Sequence, residues 1–125
     1  MKKILFIFIF LNSSICYAGW EKVDVSIYGN VTYLDFKSLK KNNEYIYIWS
    51  LTDLLKPTKY GDLSWKSLLE LDCNIPQKFR SISQQFFPQP MGKGTASTML
   101  SEKTIWSYYE KGTAKQRILD AVCSN

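Results

Sequence analysis

The sequence predicts an α+β domain: an antiparallel β-sheet of about six strands with a short C-terminal helix tied to it by a disulfide. Three observations carry this expectation. Apolar and polar residues alternate with period two at Lys22–Ile27 and again at Trp65–Cys73, and clusters of Gly, Pro and Asn separate the extended segments. After Thr113 the apolar spacing becomes helical, so strands come first and one helix comes last. Cys73 stands at the end of one strand pattern and Cys123 near the end of the helical one.

The elements follow in chain order. Val23, Val25 and Ile27 alternate with Lys22, Asp24 and Ser26, as in a half-buried strand. Gly29-Asn30 signals a turn, and Val31–Phe36 resumes extended chain with Leu34 and Phe36 on one face. The polar stretch Lys37–Glu44 reads as a connection. Tyr45–Leu51 has high strand propensity and apolar residues on both faces, which predicts a central strand covered on both sides.

Leu54–Leu63, with Pro57 and Gly61, is a loop. Trp65, Ser67, Leu69, Leu71 and Cys73 then share one face of a strand, with Lys66, Glu70 and Asp72 on the other. Pro76 lies in a return turn, and Lys78–Phe87 is the hairpin partner. Pro88, Pro90, Gly92 and Gly94 mark a long irregular connection, and Leu100–Tyr109 reads as the last strand. Thr113 suits the N-cap of a helix with Ala114, Ile118, Leu119, Ala121 and Val122 on its apolar side.

The N-terminus carries an address. Met1-Lys2-Lys3 is a positive leader, Ile4–Leu11 is apolar, and Cys16-Tyr17-Ala18 places small residues at the −3 and −1 positions of a cleavage site. Residues 1–18 are therefore expected to be a signal peptide and residues 19–125 the mature domain. A membrane anchor is the competing reading, but a span needs about 20 apolar residues. Cys16 follows Ile15, with Ser13 three residues before it, which departs from a lipid-attachment pattern and argues against a lipoprotein anchor. The expected location is the periplasm, the cell surface or the medium.

Loss of Cys16 with the leader leaves Cys73 and Cys123. An even cysteine count in an oxidising compartment reads as one disulfide; two free buried thiols are the alternative. Closing that loop would contribute about 4 kcal/mol by chain entropy.

Apolar residues at 46% and aromatics at 15% are too abundant for a disordered chain. The net charge of +5, falling to +3 without Lys2 and Lys3, is spread along the sequence. It implies weak attraction to anionic surfaces and argues against a dedicated nucleic-acid binder.

Candidate chemistry is sparse. Glu70 and Asp72 share a strand face, an arrangement to consider for general acid–base work, although such pairs usually form a solvated face. The chain has no histidine, and Lys66-Ser67 lie on opposite faces of a strand. Gly92-Lys93-Gly94-Thr95 lacks the spacing of a phosphate-binding loop. Tyr45, Tyr47 and Trp49 read as core or interface aromatics in preference to a base-stacking platform. Lys37, Lys40 and Lys41 form a small basic cluster in a turn, which either keeps an edge soluble or forms a basic contact patch for an acidic partner. The expectation is no catalytic residue, no cofactor and no metal.

The sequence resembles the surface-adhesin protein E family, small exported domains of Gram-negative bacteria. The matching residues begin at Trp20 and Tyr33-Leu34-Asp35, then Ser38-Leu39-Lys40 and Trp49-Ser50-Leu51. They continue with Ser67, Glu70-Leu71-Asp72-Cys73, Arg80 and Met91-Gly92-Lys93-Gly94, and close with Trp106, Gly112-Thr113 and Val122-Cys123. The resemblance implies an antiparallel sheet with a C-terminal helix tied by a disulfide. It also implies a protein partner, either a host matrix or serum protein such as laminin, vitronectin or plasminogen, or another envelope protein. No adhesive residue carries over by motif. The resulting expectation is a non-catalytic, adhesin-like protein-binding module; an enzyme inhibitor and an envelope housekeeping protein are the alternatives, and a homodimer is a further partner reading.

Overall fold

In the computed structural model, which describes residues 19–124, one antiparallel sheet carries a helix on one face. The segment read as a signal peptide, residues 1–18, lies outside the described residues. The strands are β1 (Trp20–Val25), β2 (Val31–Asn42), β3 (Tyr45–Asp53), β4 (Ser64–Asp72), β5 (Lys78–Phe87), β6 (Thr98–Leu100) and β7 (Ser107–Tyr108). Strands β1 to β6 follow in sequence order across the sheet, and β7 joins the outer side of β5. The helix α1 spans Ala114–Cys123, as the change of period predicts.

Residues directly opposite in antiparallel strands share a face, so the register sorts the side chains. Leu34, Ile48, Leu69 and Leu71 point to the helix side, where Ile118, Leu119 and Val122 of α1 complete a buried core. Each such aliphatic side chain contributes roughly 1.5–3 kcal/mol when fully buried. The Cys73–Cys123 disulfide, with Cα atoms 5.5 Å apart, ties the end of β4 to the end of α1. Thr113 holds the N-cap position, but its hydroxyl donates to the Glu110 carbonyl; the side chain of Gln116 instead accepts the Gly112 N–H at 2.6 Å.

Four local expectations need correction. The first strand's inward set is not Val23, Val25 and Ile27. A register shift between Lys22 and Asp24 brings Val23 against the core and buries Asp24, while Val25 and Ile27 stay exposed. Lys37–Glu44 is no connection: β2 runs on to Asn42 and turns tightly into β3. Its bulge is closed by Ser38, whose hydroxyl donates to the Asp35 carbonyl and accepts the Trp49 N–H.

Leu100–Tyr109 does not form one strand. Two short pairings with β5 flank an irregular stretch, held at its middle by the Thr104 N–H to the Ser81 carbonyl at 2.9 Å. Finally, β3 is covered by α1 on one side and on the other by the 3₁₀ turn Pro90–Gly92, which reaches its Leu51 end. That turn is fastened by the Met91 N–H to Asp53 Oδ1 and the Gly92 N–H to Ser64 Oγ, both at 2.8 Å. Tyr47 and Trp49 therefore keep part of their surface open.

Candidate functional site

The face opposite α1 collects the side chains with the most chemistry. Register places Tyr47 of β3 beside Glu70 of β4, and Glu70 beside Arg80 of β5. Glu70 is 3% exposed, and both carboxylate oxygens are engaged. Tyr47 Oη donates to Oε2 at 2.8 Å, while Arg80 Nε donates to Oε1 at 2.8 Å and its Nη2 lies 2.7 Å from the same oxygen. Burial works to raise the Glu70 pKa, but the hydrogen bonds from Tyr47 and Arg80 and the charges of Arg80 and Lys103 outweigh it and hold it below the ordinary value. The bond to Glu70, aided by burial, pushes the Tyr47 phenol up.

Trp106, just before β7, leans back over this row. Its ring centroid lies 4.1 Å from the Arg80 guanidinium carbon, 4.4 Å from Lys78 Nζ and 5.7 Å from the Tyr45 ring. Lys78 also lies 6.0 Å from the Tyr108 ring. Arg80 is thus pinned between a carboxylate and an indole, with a second cation on the same indole. Further along the same face, Trp20, Asp35, Trp49, Lys66 and Gln85 line a shallow cleft of about 250 Å³.

This arrangement suits recognition better than acid–base chemistry. Glu70 already accepts from Tyr47 and Arg80 through both oxygens, and these contacts favour its ionised form, so it is a weak base toward a substrate. Asp72 Oδ1 accepts the Asn74 N–H at 3.0 Å. Ser67 and Lys66 point to opposite faces, as alternation requires. In and just before the Gly92–Thr95 stretch the amides of Met91, Gly92 and Lys93 are spent on Asp53, Ser64 and the Pro90 carbonyl. Among the described residues no three His, Cys, Asp or Glu side chains gather to hold a metal ion.

The lysines expected to form a basic patch are all exposed, but they lie on β2 and not in a turn. Lys40 pairs with Tyr47 and Lys41 with Ile46, so these two project to opposite faces and the three do not converge. Sequence reasoning assigned no role to Lys78, Arg80 or Trp106. The first two had a legible signal: Glu70-x-Asp72 and Lys78-x-Arg80 flank one return turn and fall opposite each other in register.

A larger groove of about 600 Å³ lies on the helix side, beyond α1, with Tyr60, Phe86, Thr98 and Leu100 among its walls. Its buried carboxylate, Asp62, accepts the Ser97 hydroxyl at 2.7 Å.

Fold and site together define a small disulfide-stapled α+β domain whose aromatic and cationic side chains lie on an open sheet face. The family model described as surface-adhesin protein E matches residues 20–124, and the chain belongs to that family. No curated protein matches it. Among the described residues no helix is long and apolar enough to cross a membrane.

Proposed function

We propose that this chain is an exported, non-catalytic surface or envelope protein that holds a protein partner on the open face of its sheet. The observation that carries the reading is the placement of Arg80 between Glu70 and Trp106, with Lys78 on the same ring. Half-exposed aromatic and arginine side chains held in one geometry lose little entropy on binding, the usual property of interface hot spots. Family membership supports an adhesive role, and the leader-like residues 1–18 support export.

The test is binding of the purified protein to immobilised laminin, vitronectin and plasminogen. Wild type should bind at least one saturably, and Trp106→Ala should weaken that binding about 10- to 100-fold, the range of a 1.4–2.8 kcal/mol hot spot. Absence of binding to all three, together with inaccessibility on intact cells, would overturn the reading. Export is checked by intact mass, which should start at Gly19 and be two hydrogens lighter than the reduced chain.

A further inference from the structure

The geometry points to a second contact surface, at the end of the sheet formed by the β1–β2, β3–β4 and β5–β6 connections, which rests on a bilayer bearing anionic phospholipids. Apolar side chains stand out at the tips of the first two connections. Ile27 is 93% exposed, Tyr28 75%, Leu55 67% and Tyr60 79%. Single exposed apolar residues are ordinary; four on neighbouring tips are not.

The tips are built to be held out. Leu55 packs on Gly29, where an added Cβ would lie 3.1 Å from Leu55 Cδ2, and the Leu55 N–H donates to Asn30 Oδ1 at 3.1 Å. These contacts join the first two connections into one platform. Thr58 Oγ1 accepts the N–H groups of Tyr60 and Asp62, which fixes the rest of the β3–β4 loop.

Charge selects the occupant. Among the described residues of 25–31, 53–64 and 87–97, the exposed ionisable side chains other than the tyrosines are Lys56, Lys59 and Lys93. The two carboxylates at this end are turned inward, Asp53 onto the Met91 N–H and Asp62 onto Ser97. Apolar tips ringed by lysines with no exposed carboxylate match the boundary between acyl chains and anionic headgroups. Aliphatic groups enter that boundary, a phenol sits at headgroup level, and ammonium groups reach the phosphates. This inference does not depend on the open face, which is built from other residues.

The experiment is co-sedimentation of the purified protein with vesicles of phosphatidylcholine alone or mixed with phosphatidylglycerol. Binding is expected to the mixed vesicles and to fall with added salt. Replacing all three lysines, Lys56→Gln, Lys59→Gln and Lys93→Gln, should lower the partition coefficient about 100-fold, at about 1 kcal/mol per lysine near an anionic surface. Ile27→Asp with Leu55→Asp should abolish it. A cooperative thermal melt with a wild-type far-ultraviolet circular dichroism spectrum confirms that the variants fold. Equal binding of wild type and both variants would overturn the proposal, as would no binding to mixed vesicles. Loss of a dimer in light scattering on Ile27→Asp with Leu55→Asp, without vesicle binding by wild type, would overturn it in favour of a self-interface.

Discussion

Glu70 and Arg80 face each other across β4 and β5 in a buried ion pair, and this pair holds the guanidinium against the open side of the sheet. Glu70 is held by structure in its ionised form. Its folded pKa lies below the ordinary value of 4.5, so its contribution is full above that pH and is lost as pH falls through the folded pKa. Glu70→Gln should cost about 2 kcal/mol at neutral pH, the worth of hydrogen bonds to a charged group. It should also flatten the loss of stability on acidification below 4.5. Urea unfolding across that range, from neutral to acid, checks both; a variant with an undiminished acid slope would contradict the assignment.

Reduction should act through the helix. Cys73→Ser and Cys123→Ser break the same link, so each should lower stability by about 4 kcal/mol and the double variant by no more than either alone. Two large losses that add would contradict this. Hydrogen exchange in the single variants should accelerate first in Ala114–Cys123, because a ten-residue helix is marginal without its anchors.

Arg117 makes the helix's other tie, donating from Nε to the buried carboxylate of Asp24 on β1. Removing the cation strands a buried charge, whereas Asp24→Asn removes the charge itself. Arg117→Ala should therefore cost ~2 kcal/mol, moderated by the half-exposed arginine, and exceed the cost of Asp24→Asn. Thermal melts of the two variants decide the order.

Gly92 should resist substitution. Its φ is +62°, and a Cβ there would collide with Lys66 Cε and lie 3.4 Å from Leu51 Cδ1. Lys66 can swing aside, so the backbone is the larger obstacle, and Gly92→Ala should cost about 1–2 kcal/mol. Gly61 also has positive φ, but nothing lies near its missing Cβ. Gly61→Ala therefore isolates the backbone cost, and the difference in urea midpoint between the variants measures the crowding at Gly92.

What is readable in the chain is its local pattern. The hairpin of β4 and β5 follows from alternation and from Pro76 in the turn, and Lys78–Phe87 has the expected bounds. The helix follows from its change of period. The bulge in β1 is not readable, because one extra residue in a strand needs no special composition. Asp24 looks solvent-facing for that reason, and its partner Arg117 lies 93 positions away. Glu70 reads as a solvated acid from its neighbours alone; the residues that occupy it, Tyr47 and Arg80, belong to two other strands. Trp106 is visible as a residue but not as a member of the site. Its position depends on a chain that leaves the β5 edge between β6 and β7 and returns, which no short window records.

The sheet keeps its aliphatic core on the side of α1 and the aromatic and cationic row of Tyr45, Tyr47, Arg80 and Trp106 on the other. Most changes at Tyr45, Trp49 or Trp106 therefore touch neither Leu34, Ile48, Leu71 nor Leu119, the residues on which folding depends. On the proposed reading, such a scaffold can trade one binding specificity for another by single steps, each intermediate remaining folded. The Glu70–Arg80 pair is the exception, because it belongs to both the fold and the surface. The chain can diverge quickly in what it holds while changing slowly in how it stands.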